Sequence, residues 1–414
     1  MAEISRRKLF AYSGAVGAGG VAAGAVLPRA SSAQTSEPAG SATSIANQRL
    51  PFYGAHQPGI AAPVQAQGWL TAFDLKPGST VAQLRTRVRT LLRDWTSIAA
   101  TTMAGRPLPS ADDAMAYGRG PGALTVTVGV GASLLTKLGL GHQIPAALAP
   151  LPIFLGDEID SASSDGDLAL LVAANDGLVA VHALRAMQRR AAATTTQRWQ
   201  TNGFGEAGGV MPSPTATSRN LMGQLDGTGN PKPGTAAFDQ TVYVPSTGMP
   251  DWMRGGSYMV YRRIRMLLNT WDALDRRQQE VVIGRDKVTG APLSGGTEFT
   301  APDYEKFDSS GQLLIPPGSH IRQASAEFNS GATIYRRPFS YYNGVRGDGS
   351  PDAGLMFLAF QQNPAKGFTI IQQRLAGADT LSTFIRHEAS GLFAMLPGCA
   401  KEGDYLGRAL LEGV

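Results

Sequence analysis

Between residues 69 and 192 the chain alternates segments that read as strand, helix, strand, strand and helix, and this order restricts the available folds more than any other feature. WLTAFDL (69–75) has the composition of a strand. TVAQLRTRVRTLLRDWTSIA (80–99) places Val81, Leu84, Val88, Leu91, Leu92 and Trp95 at the spacing of one helix face. ALTVTVGVG (123–131) alternates as a strand and ends in glycines, with a short helix in SLLTKLG after it. DLALLVAAN (167–175) is a further strand, and GLVAVHALRAMQRRAA (177–192) is helical by spacing, with its arginines late, where they complement the helix dipole. Such an order predicts an antiparallel sheet with helices on one face, an α+β arrangement. A Gly- and Pro-rich segment at 201–214 marks a boundary between domains at 49–210 and 211–414. The second half repeats the order without repeating the sequence: GSYMVYRRIRM (256–266) as strand, TWDALDRRQQEVVIGR (270–285) beginning as helix, GLMFLAFQQ (354–362) as strand and FTIIQQRLAG (368–377) as helix.

The N-terminus reads as a targeting segment. SRRKLF (5–10) is a twin-arginine signature, followed by a Gly/Ala-rich apolar stretch to Leu27 and small residues, ASSAQ, at 30–34. Residues 1–33 are expected to be a cleavable signal handled by the twin-arginine export machinery, not a stable membrane anchor, and 34–48 a disordered polar tether. The destination would be periplasmic or extracellular. The whole chain carries 37 basic and 32 acidic residues; the signal holds four of the former and one of the latter, so 33 against 31 remain. That near balance argues against nucleic-acid binding.

Cys399 is the only cysteine, which excludes an internal disulfide and covalent haem attachment through CxxCH, and it is expected to serve the C-terminal fold. Among five histidines, His182 lies in an apolar helical stretch and reads as structural. His142 and His387 sit in polar, turn-like or helix-end surroundings, and His56 follows a glycine-containing loop with no evident partner. His320 follows a Pro-Pro-Gly turn and precedes Arg336 by sixteen residues.

GQLDG at 223–227, extended by Thr228, Gly229, Asn230 and Pro231, resembles the GxxDG motif of the dye-decolourising peroxidases. The likeness continues through FYGAHQPGI (52–60), LTVTVGVG, GGSYMVYRRIRM, EVVIGRDKVTGAPL (280–293), SHIRQA (319–324), IYRRPFSY (334–341) and FIRHEASGLFAMLPG (384–398). It resembles most the exported branch that includes deferrochelatase-like proteins. The resemblance implies two ferredoxin-like domains and a noncovalent haem b. It gives His320 as the proximal iron ligand, Asp226 as the distal acid/base, and Arg336 as the distal cation, with Arg337 the second choice. Gly223 and Gly227 would let the backbone approach the macrocycle. A neutral imidazole leaves the opposite axial position open for peroxide. An aspartate can move the peroxide proton from the inner to the outer oxygen, and a guanidinium stabilises charge as the O–O bond breaks. Because a free aspartate titrates near pH ~3.9, an acidic activity optimum is expected.

One departure from the family pattern is expected at Asn363, where an acid that hydrogen-bonds the ligand imidazole would align; an amide there predicts a higher haem potential. Trp252, Tyr258, Tyr261, Trp271, Tyr335, Tyr341 and Tyr342 are oxidisable, and aromatics at such positions read first as core. The expected activity is reduction of hydrogen peroxide through a ferryl intermediate with oxidation of dyes, phenols or similar donors, by a protein that is a possible homodimer. The alternative is a haem- or iron-handling protein with incidental peroxidase activity. A chlorite dismutase-like enzyme would share fold and ligand but does not call for the GxxDG aspartate.

Overall fold

A computed structural model describes residues 45–78, 80–108, 114–206 and 216–413; the targeting segment and the tether up to residue 44 lie outside them. In the first half, β1 (Gln67–Leu75), β2 (Thr125–Val130), β3 (Leu168–Ala174) and β4 (Thr195–Phe204) run antiparallel in the order β2-β3-β1-β4. Helices Val81–Met103 and Gly177–Ala191 make the two connections and pack together over one face. Thr80 starts the first with a capping box to Gln83, and Asp176 caps the second through the amides of Leu178 and Val179.

The second half uses the same scheme. β5 (Ser257–Met266), the two-residue β6 (Tyr335–Arg336), β7 (Phe339–Val345), β8 (Pro351–Gln361) and β9 (Ile385–Met395) include a sheet ordered β7-β8-β5-β9, with helix Phe368–Ala378 between β8 and β9. β6 pairs with β8 in line with β7, the two being separated where Pro338 supplies no N–H. In both halves the strands stand in the order second, third, first, fourth, which is the ferredoxin-like arrangement expected.

The two sheets also join edge to edge. β9 meets β2 at Gly129↔Met395 and Val130↔Ala394, β4 meets β7 at Phe204↔Ser340, and the pairing of β5 with β8 closes the ring. This explains why DLALLVAAN is apolar without alternation: Leu168, Leu170 and Val172 face the helices, while Ala169, Leu171 and Ala173 face the ring interior with Trp199, Met259, Tyr261, Phe339 and Phe393. Both joins are short and are reinforced by contacts with the segment before β1. Gln57 is buried, donates through Nε2 to the carbonyls of Val128 and Leu396 at 2.8 Å each, and accepts the Val128 N–H at 2.8 Å. At the other join Arg337 reaches Ala62 O at 3.3 Å, Pro63 O at 3.2 Å and the Gln65 side-chain oxygen.

Two sequence expectations differ from the structure. The segment 270–285 is two helices, Leu268–Asp272 and Arg276–Ile283, because Asp275 starts the second with its own capping box to Gln278. The boundary segment at 201–214 begins inside β4, whose Gln, Arg and Asn content concealed it, while 207–215 lie outside the described residues.

Candidate active site

On the outer face of the second sheet, helix Phe368–Ala378 and the short helix His320–Gln323 packed on it leave a cavity of about 420 Å³. β5 contributes Ile264 and Met266, β8 Leu355 and Phe357, and β9 Ile385 and His387; every lining residue lies at or beyond Asn220.

His320 opens its helix directly after Ser319, whose hydroxyl donates to Pro316 O at 2.8 Å, so the Pro-Pro-Gly turn fixes where the ring begins. Its Nδ1 lies 2.7 Å from Asp379 Oδ2. A carboxylate can only accept here, so Nδ1 carries the proton and the Nε2 lone pair is left for the cavity. Burial disfavours the charged imidazolium, but the Asp379 carboxylate and its hydrogen bond prevail, and the His320 pKa is raised above the ordinary imidazole value. Asp379 is almost fully buried and is itself held by the Leu381 N–H at 2.9 Å, while Thr380 N donates to Gly318 O at 2.9 Å, tying the acid's segment to the ligand's turn.

Asp226 and Arg336 line the same cavity, and Arg336 Nη1 donates to Asp226 Oδ1 at 2.5 Å. The other oxygen, Oδ2, is touched by the Asn220 amide at 3.4 Å, so it is the oxygen available to a further proton. Asn220 also shapes the turn that carries the acid: its Oδ1 accepts from Met222 N at 3.0 Å and its carbonyl from Gly223 N at 2.9 Å. Gly223 has φ +77° and Gly227 φ +138°, both in the region that glycine tolerates.

These groups fit a noncovalent haem. The cavity falls within the roughly 300–1,000 Å³ of cofactor sites, apolar walls of Met222, Ile264, Phe357, Phe368 and Leu381 suit a macrocycle, and His320 offers a free nitrogen oriented by an acid. Cys399 is buried in the first-half core, where burial pushes its thiol up to about 12, so it is no competing ligand.

The C-terminal Dyp-type peroxidase family model matches residues 217–400, and the N-terminal one matches 57–205. The chain belongs to the Dyp-type peroxidase family. It is 42% identical to the dye-decolorizing peroxidase of Thermobifida fusca, over 99% of this chain and 97% of that protein. The deferrochelatase of an Escherichia coli strain is 35% identical over the same shares. The structure of ferric DtpA from Streptomyces lividans is 50% identical, with a TM-score of 0.86 over 91% of this chain and 100% of that one.

Within this Dyp-type peroxidase, the structure brings His320, Asp226, Gly227 and Arg336 to one cavity and moves three expected residues away from it. Asn363 is not the imidazole's partner: its Oδ1 accepts from Ala365 N at 3.0 Å in the turn before helix Phe368–Ala378. The acid comes instead from Asp379, beyond that helix, and the higher potential expected from an amide has no basis. Arg337 is wholly buried on the opposite side of β6, in the ring interior, because successive strand residues face opposite ways. Gly223 sits behind the cavity wall, where an added Cβ would meet Lys287 Cε at 2.8 Å rather than a cofactor. Conversely, His387, whose surroundings read as polar and turn-like or helix-end, is in β9 and lines the cavity; Asp379 and His387 have no local spacing signal to reveal them. His56 does have a partner outside the cavity, the Tyr243 ring stacked at 3.5 Å. Of the seven oxidisable aromatics named, Tyr342 alone is exposed.

Proposed function

We propose that this chain binds haem b noncovalently through His320 Nε2 and uses it to reduce hydrogen peroxide at the expense of dyes, phenols or similar donors. The observation that carries the reading is one cavity lined both by an acid-oriented imidazole and by a carboxylate–guanidinium pair. When bound, the haem would supply an iron able to accept the oxidising equivalents of peroxide and release them in one-electron steps. The chain's own residues do the rest. Asp379 holds the proton on Nδ1 and enriches the ligand nitrogen. Asp226 Oδ2 takes the proton from the inner peroxide oxygen and returns it to the outer one, so that water departs rather than hydroxide. Arg336 keeps its charge and faces the negative charge that develops as the O–O bond breaks.

Replacing Asp226 with Asn tests this. Peroxide turnover should fall by about 10²–10⁴-fold while haem affinity holds; unchanged turnover would remove Asp226 as proton carrier and favour the haem- or iron-handling alternative, for which the similarity to an Escherichia coli deferrochelatase speaks. SRRKLF supports export by the twin-arginine route. Cell fractionation of an Arg6→Lys, Arg7→Lys variant should find it retained in the cytoplasm, and unchanged export would count against that route.

A further inference from the structure

Arg336 can stabilise charge in the cavity only if its backbone is fixed, and β6 fixes it on one side alone. That strand has two residues, and its ladder partner is β8, through Tyr335↔Phe360 and Arg336↔Ala359. On the free side a single side chain replaces the missing strand. Asn230 Nδ2 donates to the Arg336 carbonyl at 2.6 Å, and Asn230 Oδ1 accepts the Arg336 N–H at 3.1 Å. Asn230 belongs to the loop of Asp226, four residues on, with a turn closed by Asn230 N donating to Gly227 O at 2.9 Å. The loop is held at its other flank by Thr228, whose hydroxyl donates to Glu298 Oε1 at 2.9 Å.

We infer that Asn230 is a positioning residue that sets the separation of Asp226 and Arg336, the amide acting as a one-residue strand partner between the acid's loop and the cation's backbone. Residue chemistry narrows the choice to Asn. A carboxylate of the same shape accepts but cannot donate to the carbonyl, a hydroxyl is too short to reach both groups, and Gln is a methylene too long for the pair of contacts. The Asp226–Arg336 contact of 2.5 Å thus depends on a residue that touches neither side chain among its described hydrogen bonds.

The inference rests on Asp226 and Arg336 acting on peroxide, and its test separates the two. Holoenzymes carrying Asn230→Ala, Asn230→Asp, Asp226→Asn, Arg336→Leu and the double change Asn230→Ala with Arg336→Leu are compared for the second-order rate with peroxide, for fluoride affinity at the ferric haem, and for melting temperature. Fluoride reports the guanidinium's position without turnover. Asn230→Ala should slow the peroxide reaction about 10- to 100-fold and weaken fluoride at least several-fold, yet cost nothing further in the Arg336→Leu background. Asn230→Asp should fall between, and it stands in if Asn230→Ala yields no holoprotein. If Asn230 variants lose melting temperature but keep rate and fluoride affinity within twofold while Asp226→Asn and Arg336→Leu are slow, the positioning role is wrong and the peroxide reading stands. If Asp226→Asn and Arg336→Leu are themselves fast, the peroxide reading fails, and the inference with it.

Discussion

Asp379 stands 2.7 Å from His320 Nδ1 and is nearly sealed from solvent, so its charge acts on the imidazole with little screening. Substituting Asn keeps an acceptor for the ring N–H and removes only the charge. The ferric/ferrous potential, read by spectroelectrochemistry, should rise in Asp379→Asn, and peroxide turnover should fall by about 10- to 100-fold; an unmoved potential would show that the carboxylate does not tune the iron. At this scale the sequence is legible where chemistry travels with a local motif. Asp226 announces itself through flanking glycines, and His320 through the turn before it. Asp379 lies 59 positions from His320 with β6, β7, β8 and the helix Phe368–Ala378 between, so no spacing joins them. Reading along β8 pointed instead to Asn363, which precedes the helix, whereas the chain returns to the imidazole only after it.

Elements settle what single residues leave open. Whether Arg336 or Arg337 meets the cavity follows from strand alternation: Tyr335 and Arg337 face the ring interior and Arg336 faces out. The helices at 81–103 and 177–191 were readable because their buried residues recur at the helical period, and the strands β1, β2, β3, β5 and β8 because they are long, largely apolar runs buried over most of their length. β4 and β9 were not, since β4 is polar and the partners of β9 lie in both halves. The EVVIGR stretch shows how an element end reaches the site. Gly284 closes helix Arg276–Ile283 at φ +93°, and an added Cβ would lie 2.7 Å from Ile321 Cγ1 and 3.2 Å from Ser319 Cβ, the two neighbours of His320. Gly284→Ala should cost about 1–2 kcal/mol for the left-handed backbone alone, read as a lower denaturation midpoint, and should also weaken haem retention. Gly311→Ala serves as control: with φ +78° and open space around it, it should show the first effect without the second.

For the whole molecule, acid stability is set in part by a group buried between β9 and the helix that covers the outer face of the second sheet. Burial, and next the charge of Arg262, lower the His387 pKa to about 3. Arg262 is buried against Asp157, and Gln372 faces the ring's other nitrogen at 3.4 Å. An imidazole that stays neutral when folded but charges near pH ~6.5 when unfolded contributes stability that is full above that pH and drains away as pH falls toward 3, by about 2 kcal/mol at pH 5. Chemical denaturation between pH 7 and 5 should show this slope, flattened in His387→Gln; equal slopes would place the acid sensitivity elsewhere. An acidic optimum would therefore be reached with a less stable protein. Ring closure also has a cost in time. Synthesis proceeds N to C, and β2 ends at Val130 while its neighbour β9 ends at Met395, so at roughly 5–20 residues per second the β2 edge waits about 10 to 50 s for its partner. During that wait a ribosome-bound chain presents an unpaired, apolar strand to every other nascent copy nearby. The vulnerable species for this protein is the half-made chain, and slowing translation past β2 should favour aggregation even though the finished fold leaves that edge covered.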